Sequence, residues 1–470
     1  MYCLKALSAG FTVALLFASN AFGKSAENYL DLNFRQNRYL GGVQNASQTS
    51  NYTFLSGDLN LEAQTPGFNY KLNPMAQGAF EAQDEFYFGV PEAYIEPRKL
   101  GPDLGLTIGR RKRAWSKLDE EFNLGIWQPQ LRWDYLAPVQ QGLTGVFFDW
   151  SVGPRTKLTF FTSPLSVPDQ GPQFELTNGQ FESANRWFVQ PQSRVQLFGG
   201  TAFSSEAPLY FEIDQPTEEE LIMHSSFGLG ARHEFEGTPF WVALNYAYKP
   251  RNQIHLGIEC QNCLNIGSPN TAAEVTAVIH PKIVKHHVAT LETGFERADE
   301  RGWISVTGDI PRESDFPEAY EEAPLNPMVI GGVGFEHYIG ALVSKPSWLQ
   351  YSYMRRWEFE RPRDASLFSQ DQVESSLDRY PFKEIAALQW KILLMQKNKS
   401  RLSMRHRYNY SVPERGGWLS SGLEWNRGVM TLGFGLDILG AEVDANSADA
   451  GLFSRYRAND RVFGGLSYVF

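Results

Sequence analysis

Cysteines and long apolar segments are both scarce in this chain. Only three of its 470 residues are cysteines, and Cys3 lies in an N-terminal segment that has the features of a cleaved export signal. The remaining pair, Cys260 and Cys263, predicts one small disulfide in an oxidising compartment. Beyond the N-terminal segment, no stretch reaches the roughly eighteen consecutive apolar residues that a transmembrane helix needs. The sequence therefore excludes a helical membrane protein.

Positive charge is also in deficit. The chain carries 43 Lys and Arg against 53 Asp and Glu, which gives a formal net charge of −10. Because nucleic acid repels an acidic protein, a general nucleic-acid-binding role is disfavoured. Aromatic residues, in contrast, make up 14% of the chain, and there are 41 glycines. This composition suits either a large soluble β-protein or a membrane β-barrel, in which only every second strand residue must be apolar.

The N-terminus predicts export. Residues 1–23 contain one lysine, Lys5, then an apolar stretch from Phe11 to Ala18, then small residues ending in Ala21-Phe22-Gly23. A short apolar region between a basic start and a small-residue cleavage site is typical of a signal peptide. We therefore predict a signal peptide over 1–23 and a mature chain over 24–470.

Alternation of apolar and polar residues is the main structural signal of the mature chain. In YLDLNFRQNRYL (29–40), Leu30, Leu32 and Phe34 share one face of a predicted strand, and polar residues fill the other. The same period of two recurs in GDLNLEAQ (57–64) and RLSMRHRYNY (401–410). The pattern predicts strands from end to end, without a helix of three turns.

Short turns and long polar loops alternate between these strands. Tight turns such as Thr65-Pro66-Gly67 are followed by long polar stretches such as 112–140, 250–283 and 359–381. A barrel threaded through an outer membrane requires short turns on one side and long loops on the other, whereas a soluble sandwich does not. We predict an all-β fold, a transmembrane antiparallel up-and-down β-barrel of about 18 strands, with a range of 16 to 20 because residues 192–214 fit either one strand or two.

The last ten residues, RVFGGLSYVF, alternate up to a terminal phenylalanine. Leu466, Tyr468 and Phe470 resemble the apolar positions of the C-terminal strand of Gram-negative outer-membrane β-barrels. The resemblance implies an outer-membrane location, lipid neighbours, and recognition of this strand by the barrel-assembly machinery. We expect the final strand to pair with the first, near 29–40, so that the sheet has no open edge.

A second segment, EAYIEPRKLGPDLGLTIGRRK (92–112), resembles the porin hairpin that leads into the constriction loop. In trimeric porins the long loop that follows folds inward and narrows the pore. The resemblance thus makes 112–140 a candidate constriction loop, with Lys117, Asp119, Glu120, Glu121, Arg132 and Asp134 as its charged residues. The strand count is closer to the larger monomeric alginate-export or substrate-specific channels, so a homotrimer and a monomer both remain open.

Arginines concentrate on the predicted inner face of the barrel. A barrel of sixteen to eighteen strands leaves a water-filled lumen whose charges select solutes. The alternation places seven arginines toward this lumen: Arg35, Arg111, Arg113, Arg232, Arg356, Arg405 and Arg407. If the loop folds inward, its carboxylates would face these arginines and create a transverse field. The alternative is that each arginine is an ordinary solvated residue paired with a neighbouring acid.

Two other motifs suggest different chemistry. Cys260 and Cys263, with His280 and His286 downstream, approach the spacing of a structural zinc site, but a disulfide is the simpler reading. His224 and Ser226 faintly resemble the catalytic pair of outer-membrane phospholipases, without an identifiable third group. We therefore predict no metal, no cofactor and no catalysis.

The sequence as a whole predicts a porin-type channel for passive diffusion of small hydrophilic solutes. The main alternative is a surface receptor, adhesin or structural barrel that acts through its external loops. An outer-membrane lipid hydrolase is a minor alternative.

Overall fold

A computed structural model describes residues 28–470 except 44–45, 83–84, 99, 198–204, 262–274, 318–319, 323–324, 341–346, 360–378, 446 and 448. The predicted signal peptide lies outside the described residues. Within them, the chain forms strands separated by turns and loops, with three short helices.

The strands, in chain order, are β1 (Tyr29–Tyr39), β2 (Asn51–Gln64), β3 (Phe68–Ala79), β4 (Phe86–Pro97), β5 (Leu104–Arg111), β6 (Gln130–Leu131), β7 (Val139–Gln140), β8 (Leu143–Ser151), β9 (Thr156–Ser163), β10 (Glu175–Thr177), β11 (Gln180–Glu182), β12 (Arg194–Leu197), β13 (Ser205–Ile213), β14 (Ser226–Glu234), β15 (Phe240–Pro250), β16 (His255–Gln261), β17 (Val275–Lys282), β18 (Lys285–Glu296), β19 (Glu300–Pro311), β20 (Glu321–Glu322), β21 (Met328–Ile339), β22 (Ser347–Glu358), β23 (Glu384–Lys397), β24 (Ser400–Ser411), β25 (Gly416–Arg427), β26 (Met430–Gly440) and β27 (Arg461–Val469). The helices are α1 (Lys117–Phe122), α2 (Glu218–Ile222) and α3 (Leu452–Arg455), and a 3₁₀ turn covers Arg457–Asn459.

Eighteen of these strands form one antiparallel sheet that closes on itself. Each strand pairs with the next barrel strand along the chain, and β1 and β27 complete the ring, with Phe34 opposite Leu466 and Asp31 opposite Val469. Closure gives every strand two partners, so the sheet has no edge with unpaired backbone groups. The predicted strand count and the predicted pairing of the last strand with the first are both confirmed.

Alternation sorts the side chains of the barrel between its two faces. Apolar residues such as Phe34, Ile304 and Phe434 are exposed on the outside, with Phe434 62% exposed. Polar residues on the inner face, such as Thr290 and Thr307, are fully buried. An apolar exterior around a polar interior is the inverse of a soluble protein and matches a barrel surrounded by lipid.

A second, smaller sheet lies outside the barrel ring. It contains β12, β13, β17, β16 and β20 in that order, and β13 pairs with β17 in parallel. Its strands come from the loops between β9 and β14, between β15 and β18, and between β19 and β21. Phe181, Leu209, Phe211 and Val275 form a small buried cluster with it. Within 192–214, which the alternation could not assign, the two described strands β12 and β13 therefore belong to this loop sheet and not to the barrel.

The helices are short because each is a turn within a loop. The longest, α1, has six residues and begins after Ser116, whose hydroxyl accepts a hydrogen bond from the backbone N–H of Asp119. None of the helices among the described residues is both long and apolar enough to cross a bilayer.

Candidate functional site

The loop 112–140 leaves β5 and crosses the interior of the barrel. On one side of it, the Ser116 hydroxyl donates a hydrogen bond to Glu292 of β18 at 2.9 Å. On the other, Asp134 forms an ion pair with Arg461 of β27 at 2.6 Å. Because β18 and β27 are well separated around the ring, these contacts place the loop across the lumen.

Apolar packing holds this inward loop against the barrel wall. Leu118, Phe122 and Trp127 of the loop belong to the same buried cluster as wall residues that point inward: Val288, Ile330, Met354 and Ile385. The wall residue Gly332 leaves room here, since a Cβ at this position would overlap the Leu118 side chain. Burying each large apolar side chain stabilises the packing by about 1.5–3 kcal/mol.

This apolar patch corrects one expectation from the sequence. The alternation predicts polar residues on the inner face of the strands, around a water-filled lumen. Instead, Val288, Ile330, Met354 and Ile385 are fully buried, because the loop covers them with its own apolar side chains. Their inward direction follows from strand register, with Ile385 opposite Met354.

Asp119 organises the loop itself. Its two carboxylate oxygens accept hydrogen bonds from the backbone N–H groups of Ile126 and Trp127, both at 2.9 Å. Burial raises the pKa of Asp119, against the lowering effect of these two N–H groups. We expected Asp119 to face the wall arginines. It does not, because its carboxylate closes a turn within the loop.

Glu121 is the loop carboxylate that meets the predicted arginine wall. It accepts hydrogen bonds from Gln350 and from Ser352 of β22, and its Oε1 lies 3.8 Å from a guanidinium nitrogen of Arg407. The Arg407 side chain also donates to the Glu121 backbone carbonyl at 3.1 Å. Burial raises the pKa of Glu121, and the charge of Arg407 opposes that rise.

Asp134 sits at the other end of the loop, against β1 and β27. Burial would raise its pKa, but the positive charges of Arg461 and Arg35 overcome this and hold the pKa below its usual value. Asp134 is therefore a charged anchor of the loop at neutral pH.

The other charged loop residues make local pairs. Lys117 lies 3.7 Å from Glu120 within α1. Arg132 pairs with Asp169 at 3.2 Å and donates to the Leu124 carbonyl. These residues stabilise the loop conformation. The loop contacts arginines of the barrel wall through Glu121, which meets Arg407, and through Asp134, which meets Arg461.

The seven predicted wall arginines lie on the inner face of the barrel strands or at their ends: Arg35, Arg111, Arg113, Arg232, Arg356, Arg405 and Arg407. Five of them contact a carboxylate: Arg111 with Glu96, Arg113 with Asp149, Arg232 with Glu234 and Glu296, Arg356 with Glu358, and Arg407 with Glu121. Most of the predicted positive wall is thus neutralised locally.

Arg35 and Arg405 differ from the other five. Arg35 donates to the Asn37 side chain at 2.9 Å and lies over the Phe463 ring, and Arg405 is exposed on the inner face of β24. Within the described residues, neither forms an ion pair. Arg35 nevertheless acts on Asp134 through its charge and, together with Arg461, balances Asp134 and Asp437. Among the described residues, Arg405 is therefore the predicted wall arginine whose charge has no adjacent carboxylate.

A cavity of about 170 Å³ lies between the inward loop and strands β1 to β3. Its charged lining residues are Arg35, Asp134, Glu85 and Arg186, and its aromatic residues include Trp133. Two positive and two negative side chains with aromatic and amide neighbours make this a polar recess.

Sequence reasoning missed several residues of this site. Arg461 binds Asp437 through Nε at 2.7 Å and Asp134 through Nη1, and it is 2% exposed. The alternation of RVFGGLSYVF, which puts Leu466 and Tyr468 outside, also puts Arg461 inside, so its position was available from register. No sequence pattern indicated the position of Arg186, because it lies in an irregular loop and donates to backbone carbonyls such as that of Ala458.

The cysteine and histidine motif does not assemble as a zinc site among the described residues. His280 lies on the loop sheet beside Asp214, with Nδ1 3.0 Å from Oδ2. His286 lies on β18 and contacts Asp309. Within the described residues, no group of three or more His, Cys, Asp or Glu could hold a metal ion. The predicted disulfide lies outside the described residues, since Cys263 falls in 262–274.

The surroundings of His224 and Ser226 do not match those of a catalytic pair. His224 is in the turn after α2, where Nε2 lies 2.6 Å from the Glu220 carbonyl oxygen. Ser226 is a buried residue at the start of β14. The imidazole therefore contacts a backbone carbonyl, which does not activate a serine.

The C-terminal residues of the predicted assembly signal lie on the outer face of β27 and just beyond it. Leu466 and Tyr468 are 40% and 42% exposed, and Phe470 is 67% exposed. The Phe470 N–H donates to the Leu30 carbonyl at 2.9 Å, which extends the pairing with β1 by one residue.

These features define the class of the protein: it is a porin-like transmembrane β-barrel, closed by its first and last strands and crossed by the loop 112–140. No protein-family model and no curated protein matches the chain. Among solved structures, it is similar to a BenF-like porin from Pseudomonas fluorescens Pf-5, with 10% identity, a TM-score of 0.49, and 96% of this chain and 100% of that chain covered.

Two further solved structures are similar in the same way. Acinetobacter baumannii OccAB3 has 10% identity and a TM-score of 0.47, covering 94% of this chain and 98% of that chain. Pseudomonas aeruginosa OccK2 (OpdF) in complex with glucuronate has 10% identity and a TM-score of 0.47, covering 94% and 96%. The strand pairing itself defines the architecture.

Proposed function

We propose that the protein is an outer-membrane channel through which small hydrophilic solutes diffuse passively. The observation that carries this proposal is the loop 112–140 crossing a closed barrel, with Glu121 and Asp134 bound to wall arginines. A closed barrel with an apolar exterior inserts into lipid without unpaired backbone groups. An inward loop with fixed charges then narrows the water-filled path and selects what passes. In this proposal residues 1–23 are the export signal and Leu466, Tyr468 and Phe470 are read by the barrel-assembly machinery.

The selectivity that we propose is a weak preference for anionic or zwitterionic solutes. Most wall arginines are neutralised by adjacent carboxylates, which alone would give little preference. Arg405 has no adjacent carboxylate among the described residues, and Arg35 adds a positive charge to the recess beside the loop. This recess also contains Asp134 and Glu85, so a solute with one positive and one negative group finds partners for both.

Planar-bilayer recording of the purified, folded protein tests the proposal. We expect discrete channel currents, with anion preference at low salt that fades at high salt as ions screen the wall charges. A protein that is folded and inserted but gives no currents would contradict the channel function. Currents with cation preference at low salt would contradict only the selectivity. Arg35→Gln and Arg405→Gln should each reduce the anion preference, whereas Arg155→Gln, in an exposed turn, should leave it unchanged.

A second function is favoured by the loop sheet. The strands β12, β13, β16, β17 and β20 form an ordered layer with its own apolar cluster, which a simple diffusion channel does not require. A surface receptor or adhesin would act through this layer. In that case deletion of 311–327 would abolish binding of cells to a surface and leave channel currents unchanged.

A further inference from the structure

A buried cluster of charged side chains lies where several loops meet the C-terminal ends of β15 and β19. Its centre is Asp309, which is fully buried and accepts a hydrogen bond from the Tyr380 hydroxyl at 2.7 Å. The Asp309 carboxylate also contacts His286 at 2.7 Å and lies 3.6 Å from Arg379. These three partners come from β18 and from the loop that precedes β23.

Two guanidinium groups in this cluster have N–H groups without partners. Arg251 is 5% exposed, and its Nε has no hydrogen-bond partner within the described residues. The Arg379 side chain is 8% exposed, and its Nε and Nη1 likewise lack partners there. A guanidinium is always charged and has five N–H donors, so three unpaired donors in a buried place indicate a missing acceptor.

The two guanidinium groups also repel each other. Burial, followed by the positive charge of Arg379, lowers the pKa of Arg251 to about 10. Lys249 is 2% exposed and, among the residues that the structure describes, donates to the Pro250 carbonyl and the Asn252 side chain without forming an ion pair, so it adds positive charge. Buried like charges at close range are costly unless an opposite charge lies between them.

Counted over the described residues, the cluster carries one positive charge in excess. Its cations are Lys249, Arg251, Arg379 and Arg132, and its carboxylates are Asp309, Asp169 and Asp119. His286 is counted as neutral. The neighbouring Arg356 is neutralised separately by Glu358 at 2.8 Å. One monovalent anion would therefore complete the charge balance, whereas a multiply charged oxyanion would reverse it and would need more space.

We propose that this cluster binds one small monovalent anion, chloride in a saline medium, between Arg251 and Arg379. The anion accepts the three unpaired N–H groups and separates the two positive charges. It also joins elements from distant parts of the chain, because Arg251 follows β15 whereas Arg379 precedes β23. The site is structural and distinct from the solute path, and it holds the external loops against the barrel.

Bromide replaces chloride at such sites and can be located by anomalous X-ray diffraction. Crystals of the full-length mature protein grown with bromide in place of chloride should show one anomalous peak within hydrogen-bond distance of both guanidinium groups. This experiment uses the unmodified protein, so it does not depend on whether a variant folds. The absence of a peak between Arg251 and Arg379 would overturn the proposal.

Thermal unfolding provides a second measurement. At constant ionic strength, the unfolding temperature should be about 2 °C higher in chloride than in gluconate, a much larger monovalent anion. Arg251→Met should abolish this difference. The matched control is Arg301→Gln, since Arg301 is 58% exposed near the opposite end of the barrel, and this variant should keep the difference. An equal chloride effect in the wild type and in Arg251→Met would contradict the proposed position of the site.

Discussion

Arg461 of the last strand holds Asp134 of the inward loop, with 2.6 Å between Nη1 and Oδ2. The two residues are 327 positions apart in the chain. The same guanidinium donates through Nε to Asp437 of β26, so one side chain links two barrel strands to the loop that crosses the lumen. This arrangement predicts that the barrel and its loop are coupled in stability.

Replacement of Arg461 tests that coupling. Arg461→Met leaves the buried Asp437 and the partly buried Asp134 without this cation, so we expect the free energy of unfolding to fall by about 3–5 kcal/mol. Urea unfolding in lipid vesicles measures this change. The control is Arg457→Met, because Arg457 is 53% exposed and pairs with Asp444 at 3.6 Å, and such a surface pair contributes less than about 1 kcal/mol. Equal losses in the two variants would show that Arg461 does not anchor the loop.

Removal of the Asp119 carboxylate should loosen the loop itself. Asp119→Ala leaves the N–H groups of Ile126 and Trp127 buried without acceptors, at a cost of about 1–3 kcal/mol for each. We expect the loop to leave its position in part of the molecules, which raises single-channel conductance and its noise. Glu120→Ala is the matched control, since Glu120 lies in the same helix and is 32% exposed. A conductance that responds equally to both variants would contradict the specific role of Asp119.

Acidification should change ion selectivity through Glu121. Burial raises the pKa of Glu121, so this side chain becomes protonated at a higher pH than a free glutamate, whose pKa is about 4.3. Protonation removes the negative charge beside Arg407, and the lumen becomes more positive. We therefore expect the anion preference to increase as the pH falls through this range, whereas Asp134, whose pKa is lowered, stays charged.

Reversal potentials measured in a salt gradient at several pH values check this expectation. Glu121→Gln should show the higher anion preference already at neutral pH and lose the pH-dependent step. Glu236→Gln is the control, since Glu236 is 79% exposed and pairs with Arg155 outside the lumen, and it should titrate like the wild type. A pH step that survives in Glu121→Gln would assign the titration to another group.

Replacement of the terminal phenylalanine should affect assembly in the membrane much more than the stability of the folded protein. Phe470 is 67% exposed, so Phe470→Ala should change the free energy of unfolding by less than about 1 kcal/mol. If the assembly machinery reads this strand, the amount of folded protein in the outer membrane should fall several-fold. Phe434→Ala, which removes an outward aromatic that is 62% exposed on β26, should leave the amount unchanged. Equal yields of the two variants would contradict a signal at Phe470.

The barrel itself was predictable from the sequence. A strand in a membrane barrel must alternate, because one face meets lipid and the other meets the interior. This local rule gave about 18 strands, the pairing of the last strand with the first, and the inward direction of residues such as Arg35 and Arg407. The alternation rule did not assign the strands within 192–214 correctly, because strands in a loop sheet alternate in the same way as strands in a barrel.

The interior was decided by tertiary structure. No local pattern shows that Asp134 meets Arg461, that Asp119 turns back to its own loop, or that Ile330 and Met354 point inward beneath it. Each of these features depends on contacts between segments far apart in the chain, and such contacts leave no period in the sequence. Alternation thus determined the wall of the barrel by itself, whereas the packing of a loop against that wall determined what the lumen contains.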